Sequence, residues 1–363
     1  MMDRVVEWIF ALRTVFAVAI ALLIGGVLML LAGSDPVAGY QALFGEAFFD
    51  YWGIGNTLVK TSPILLAGLA VVVPLRAGLY NIGGEGQIYL GGLFATVVGL
   101  ALPEMPSYAG IPIVVVAAMI GGGLWAAIPG YLRAYHGINE VIVTLLMNFI
   151  GIHIVSYAVS GPLLAKSAPY PYSEELPEFL HLPILMPETD THIGAMAGLL
   201  IAVVIYLFFR YTPSGFAIDT VGRNPEAAQY AGIAVRKQML RSMILGGCLA
   251  GLAGGFEVIG LKYRLFHLFS SGYGFDGIVV AFMALASPIL VPVAAFFLAG
   301  LQAGAGAMQR VAGVERSIVD ALQGLVVIML AASLAMRADR FGILSYLRAR
   351  RASLILPAAK KAS

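Results

Sequence analysis

The chain has 363 residues, of which 60% are hydrophobic and only 12% charged, against about 25% charged residues in a typical soluble domain. No single soluble core of this length hides so much apolar surface, so lipid must cover part of it. A net charge of +2 gives no electrostatic footprint for nucleic acid, and one cysteine, Cys248, excludes an internal disulfide framework or a cysteine-rich zinc site.

The first predicted element is a helix near 14–32, preceded by Arg4 and Arg13. Its uncharged run exceeds the roughly 7–15 apolar residues of a signal peptide, so it reads as an uncleaved span with a cytoplasmic amino end. Asp35–Tyr51 is too short to cross and is expected along the outer interface. Further apolar windows fall near 57–75, 82–102, 112–132, 139–160, 193–210, 238–260, 276–290, 292–309 and 318–336. The fold class is all-α: a polytopic membrane helix bundle of about ten transmembrane helices. It reads as one domain over 1–363, with both termini cytoplasmic. The windows near 276–290 and 292–309 are short and punctuated by Pro288 and Pro292.

Charge placement supports this orientation, because Lys and Arg collect on the cytoplasmic side. That side receives Arg210, Arg223, Arg236, Lys237 and Arg241 in one loop, and the tail from Arg337, whose residues 341–363 are basic. The loop 161–192 falls outside, with Glu174, Glu175, Glu178, Glu188 and Asp190 against Lys166. Its stretch Pro169–Pro187 reads as an ordered cap or a docking surface.

Two stretches break the apolar pattern: Arg76–Gln87 and Ser270–Gly277. Each packs glycines around one acidic residue, Glu85 or Asp276. Irregular backbone at membrane depth is tolerated only when protein buries it or water lines it. Broken helices in corresponding halves of a transporter point to its path. The two stretches follow spans of opposite direction, which fits an inverted repeat; the competing reading is a pair of tight interfacial turns. Asn148, His153, Glu257 and Asp320 add polar groups within spans, each a functional candidate. The alternative for Asn148 and His153 is an interhelical hydrogen bond, and for Glu257, with Lys262 and Arg264 close by in sequence, a structural ion pair or snorkelling. Gly247, Gly251 and Gly255, and again Gly300 and Gly304, line helix faces for close packing, within the subunit or against a partner.

The loop between the sixth and seventh spans reads as a short free-standing helix. Asn224 suits the N-cap, Pro225 the first turn, Glu226 the positive dipole end, and Gly232 a left-handed stop. Two turns are unstable alone in water, so this helix needs a partner surface. Ala228, Tyr230 and Ile233 offer an apolar footprint ringed by Arg223, Arg236 and Lys237. The alternative is a connector packed on its own spans.

Four stretches, Asn81–Gln87, Gly137–Asn148, Gly222–Ile233 and Gly274–Ile278, occur in order. Together they resemble the bacterial nucleoside and simple-sugar ABC importer permeases, within the wider group that holds the ribose and branched-chain amino acid permeases. The resemblance covers residues 10–340 and is nearer the nucleoside branch. It implies a multi-pass subunit of the bacterial cytoplasmic (inner) membrane that imports nucleosides or simple sugars. Its implied partners are an ABC ATPase subunit, a second permease subunit, identical or different, and an extracytoplasmic substrate-binding protein or lipoprotein. Arg223, Asn224, Pro225, Glu226, Ala227, Ala228, Tyr230 and Gly232 would then form the coupling helix against the ATPase. Asn81, Glu85, Gln87, Asn148 and Asp276 would line the substrate path.

The chain carries no Gly-x-x-x-x-Gly-Lys-[Ser/Thr] phosphate loop. It is therefore not expected to be an enzyme or to hold a cofactor or metal; ATP belongs to the partner. The rival is an ion-coupled secondary transporter in which Glu85, Glu257 and Asp276 carry protons, but that reading leaves the helix at 224–232 unexplained. A membrane-embedded enzyme is disfavoured by five scattered histidines and the absence of His-Glu-x-x-His or Gly-x-Ser-x-Gly.

Overall fold

The computed structural model describes residues 2–166 and 169–335; the basic tail 341–363 lies outside the described residues. The described chain is helical throughout, with only isolated β-bridges between loops. The thirteen α-helices are α1 (Met2–Leu31), α2 (Pro36–Phe49), α3 (Tyr51–Arg76), α4 (Gly84–Ala101), α5 (Ser107–His136), α6 (Glu140–Ser160), α7 (Gly194–Tyr211), α8 (Pro213–Arg223), α9 (Pro225–Tyr230), α10 (Val235–Glu257), α11 (Tyr273–Met283), α12 (Val291–Ala312) and α13 (Arg316–Ala335). Six of them (α3, α5, α6, α7, α10 with its π-helical extension Val258–Lys262, and α12) are long and apolar enough to cross a membrane.

Glycine decides the core. α10 lies against α3, α4 and α5 so closely that their backbones touch. A Cβ on Gly251 would stand 2.3 Å from the Ala118 carbonyl oxygen, one on Gly122 2.2 Å from that of Gly247, and one on Gly254 2.0 Å from that of Ile88. The stripe Gly247–Gly251–Gly255 is therefore consumed within the subunit. Gly300 and Gly304 likewise seat α12 on Phe48 and Leu43 of α2. Overpacking a core typically costs about 1–3 kcal/mol, and side chains usually yield first; here the obstacle is main chain. Gly251→Leu is expected to abolish recovery of monodisperse protein in detergent size-exclusion chromatography. Gly45→Ala, where nothing lies within 4 Å, should elute as the parent does.

The segment expected as a span near 276–290 requires correction. α11 ends at Met283, and a turn occupies 284–290. Eleven residues rise about 16 Å, roughly half the hydrocarbon thickness. Apolar composition cannot distinguish such a half-helix from a full span. Before it, residues 263–272 form irregular chain.

Residues 169–193 of the outer loop form an ordered cap. Its backbone N–H groups at Ser173, Leu176 and Leu182 donate to the carbonyls of Leu265, Tyr263 and Ile259 at 2.8–2.9 Å. The His181 ring stacks on Tyr263 at 3.9 Å, and Arg264 pairs with Glu175 rather than with Glu257. His192, buried at the end of the cap, accepts from the Gly194 N–H through Nδ1 at 3.1 Å. Burial drives its pKa down to about 4, so the cap holds it neutral.

Candidate functional site

The two irregular stretches, nearly two hundred residues apart in sequence, meet. α3 ends at Arg76, and the chain turns back through 77–83 until the Asn81 amide lies 3.5 Å from the Ala70 carbonyl, beside the helix it has just left. There α4 starts. Residues 263–272 run from the end of the π segment to the start of α11. The two helices begin against each other: a Cβ on Gly274 would stand 2.1 Å from the Glu85 nitrogen. Only glycine permits that approach. The Glu85 carboxylate accepts from the Gly274 N–H at 2.8 Å. It thus caps the first turn of α11 from another helix, where exposed N–H groups favour negative charge.

Asn81 and Gln87 close a reciprocal amide pair across the first break. The Asn81 Nδ2–H donates to Gln87 Oε1 at 3.0 Å, and the Gln87 Nε2–H donates to Asn81 Oδ1 at 2.9 Å. Asn148 of α6 holds the same break from outside. Its Oδ1 accepts from Gly86 N–H, and its Nδ2–H donates to Ile82 O, both at 2.8 Å. All four of Asn81, Glu85, Gln87 and Asn148 are buried. The structure gathers them into one cluster around the first break. Asp276 lies one turn into α11, half-buried, and accepts from the Gln302 amide of α12 at 2.9 Å. Glu257 is buried, with Oε1 unpartnered by hydrogen bonds among the described residues and Lys262 Nζ 4.0 Å away. Asp320 is exposed, 3.8 Å from Arg316.

Sequence reasoning missed the residues that brace the break. Glu140 accepts from the Tyr80 N–H at 3.3 Å while pairing with Arg133 at 3.1 Å. Thr144 accepts from the Ile82 N–H at 3.3 Å. Together with Asn148 these are the i, i+4, i+8 positions of α6, a polar stripe on one helix face that spacing reveals once α6 is recognised.

The loop helix forms as its caps dictate. α9 covers Pro225–Tyr230; Asn224 Oδ1 accepts from the Ala227 N–H at 3.0 Å, and Gly232 at φ +79° ends it. Arg223, Asn224, Pro225, Glu226, Ala227 and Gly232 are exposed, and Tyr230 is 94% exposed. The expected apolar footprint needs one correction: Ala228 is fully buried and faces its own subunit. A further helix, α8, precedes α9. Thr212 caps it by accepting from the Gly215 N–H at 3.0 Å. Asp219 of α8 binds Arg76 in a fork: Nε to Oδ1 at 2.6 Å and Nη2 to Oδ2 at 2.7 Å. The guanidinium also lies 4.2 Å from the Phe209 ring centroid. Two opposite charges at the ends of apolar runs were the available signal for this pair.

Comparison with known proteins places this geometry in context. Residues 53–331 match the model of a family described as the permease component of branched-chain amino acid transport systems. The chain is 35% identical over 333 residues to the guanosine ABC transporter permease protein NupP of Bacillus subtilis, covering 88% of this chain and 93% of that one. It is 35% identical over 346 residues to the glucose ABC transporter permease protein TsgB13 of Haloferax volcanii, covering 93% and 91%. A second guanosine permease protein of Bacillus subtilis, NupQ, is 25% identical over 247 residues, covering 66% and 77%.

Proposed function

The chain belongs to the family of branched-chain amino acid transport system permease components, and from that premise we propose that it is the membrane-spanning subunit of an ATP-driven importer of nucleosides or simple sugars. It is a multi-pass membrane protein. The observation that carries the reading is α9: a six-residue helix, capped at both ends, that packs on its own subunit through Ala228 and presents an almost bare Tyr230 outward to a partner. The partner is the ABC ATPase subunit, which binds and hydrolyses the ATP. A second permease subunit completes the pore. The presence of both NupP and NupQ among the relatives, from one bacterium, supports a pair of different permeases. An extracytoplasmic binding protein or lipoprotein delivers the solute.

In this reading about ten helices or half-helices cross the bilayer of the bacterial inner membrane, with both termini cytoplasmic. The breaks at 77–83 and 263–272 belong to an inverted repeat. Its halves begin α4 and α11 at a common depth, with α3 running inward and α10 outward before them. Asn81, Glu85, Gln87, Asn148 and Asp276 form the wall of the path at that depth. The Asn81–Gln87 amide pair and the hydrogen bonds of Glu85, Asn148 and Asp276 to Gly274, to Gly86 and Ile82, and to Gln302 hold it closed, and Arg223 to Gly232 transmit the ATPase movement. The amide and carboxylate groups suit a neutral solute rich in hydroxyl and amide hydrogen bonds, which is common to nucleosides and sugars.

The test is uptake of labelled guanosine and of labelled glucose into vesicles carrying the complete complex. ATP-dependent uptake of either, insensitive to collapse of the proton gradient, is expected. Uptake that survives ATP depletion but stops with the proton gradient would replace this reading with an ion-coupled transporter.

A further inference from the structure

At the amino end of α10 the bundle leaves an open hollow of about 320 Å³ between α7, α8 and α10. Its chemistry is graded. Gln238, Arg241 and Leu245 follow one another on one face of α10, at helical spacing. Between the first and the last of them the helix rises about 10 Å, and the wall changes from amide and guanidinium to hydrocarbon. Phe208, Ile218 and Ile244 complete the apolar part, and Ser214, at the start of α8, joins the polar one.

The polar end is short of partners. Gln238 is 8% exposed, yet its Oε1 is buried with no hydrogen-bond partner among the described residues. A buried amide oxygen has given up its bond to water, and a donor is required to offset that cost. Arg241 is exposed and forms no ion pair among the described residues; Asp219, the one acid of α8, is held by Arg76. Arg210, Arg236 and Lys237 stand in the neighbouring sequence, so this surface attracts anions. At the start of α8, Pro213 has no N–H and Thr212 accepts from Gly215. The Ser214 N–H is left at the positive end of the helix dipole.

We propose that this hollow binds one anionic phospholipid of the phosphatidylglycerol class, its phosphate on Arg241 and the first turn of α8 and an acyl chain along Phe208, Ile244 and Leu245. Basic pockets between membrane helices suit anionic headgroups. A phosphate only accepts at neutral pH and cannot satisfy Gln238 Oε1, whereas a hydroxyl of the glycerol headgroup donates to it. A soluble anion would leave the apolar wall against water. An ethanolamine headgroup would bring another cation beside Arg241. The site goes beyond the importer reading and depends only on the geometry of α7, α8 and α10.

The experiment is native mass spectrometry of the complete complex, with dioleoylphosphatidylglycerol and dioleoylphosphatidylethanolamine offered in equal amounts, or inorganic phosphate alone. One phosphatidylglycerol is expected to stay on this subunit when it is released from the complex. Arg241→Glu should lower that retention about 10-fold, because a charge-assisted contact becomes a repulsive one. Arg236→Glu makes the same change of charge on another face of α10 and should alter retention at most ~2-fold, since exposed charge is screened. Leu245→Trp keeps the guanidinium but fills the apolar end, and should also release the lipid. Equal retention of the two lipids, or retention indifferent to both Arg241→Glu and Leu245→Trp, would overturn the site. Capture of inorganic phosphate with loss of the lipid preference would reduce it to a soluble-anion site and overturn it equally. So would loss of the ATPase subunit from Arg241→Glu with phosphatidylglycerol still bound, because the hollow would then seat protein. Retention needs neither ATP nor solute, so a complex that holds the lipid but never imports removes the importer reading alone.

Discussion

Tyr230→Asp is expected to reduce ATP-driven uptake to background while the permease remains folded and inserted. Tyr230 is 94% exposed at the carboxyl end of α9, so its loss removes no internal packing. The Asn224 cap and the Gly232 stop, which shape the helix, are untouched by the change. Large aromatic side chains at an interface centre commonly contribute about 2 kcal/mol or more, roughly 30-fold in affinity. A carboxylate placed there adds the cost of desolvating a charge against the partner. Tyr230→Phe, which keeps the ring, should retain most uptake. Ala228→Arg is unsuitable for the same purpose: Ala228 is fully buried, and an arginine there would damage the subunit before it tested the joint. The measurement is uptake together with recovery of the ATPase subunit on affinity purification. Parental uptake by Tyr230→Asp would sink the assignment of α9 as the coupling helix.

Much of this organisation was legible in the sequence because its signals are local. An Asn-Pro-Glu start and a glycine stop define α9 within ten residues, and the caps close as their chemistry dictates. Glycines clustered around Glu85 and Asp276 marked both breaks: Gly84, Gly86, Gly274 and Gly277 sit where another backbone approaches, and Gly272 takes a positive φ. What the sequence could not express is which approach each glycine serves. Gly251 packs on Ala118 and Gly122, and Gly274 packs on Glu85; neither pairing leaves a periodic trace. The length of α11 was illegible for a related reason. Residues 276–290 are apolar enough for a span, yet the helix begins at Tyr273 and stops at Met283. Two consecutive left-handed residues, Leu285 and Ala286, at φ +55° turn the chain, and neither residue type announces such a turn. Ala228 is buried in a helix that packs on α8 and α10, and α8 is an element whose composition resembles a loop.

α8 also carries the second large effect. Arg76→Asp or Asp219→Arg alone is expected to uncouple ATP hydrolysis from uptake, and the double variant Arg76→Asp/Asp219→Arg to recover a substantial part of it. The pair joins two things the importer must connect. Asp219 lies in α8, immediately before α9, the proposed coupling helix, and Arg76 is the last residue of α3 before the break that holds Asn81 and leads to Glu85. The contact is rigid. The carboxylate is gripped through two hydrogen bonds of 2.6 and 2.7 Å, and a Cβ on Gly222 would stand 2.1 Å from the Arg76 carbonyl oxygen. Displacement of α8 and α9 is therefore expected to reach residues 77–83 by direct push. Breaking a buried pair costs about 3–5 kcal/mol. With the two side chains 24% and 21% exposed, a loss on the order of 2 kcal/mol, about 30-fold in the coupled equilibrium, is the reasonable expectation. Arg223, 3.8 Å from Asp219, is too exposed to substitute. Arg76→Lys should rescue poorly, because an ammonium lacks the planar fork that meets both oxygens. The distinguishing readout is the ratio of solute imported to ATP hydrolysed. A structural role alone would lower both together and leave that ratio at its parental value, whereas a transmission role lowers the ratio in each single variant and raises it again in the swap.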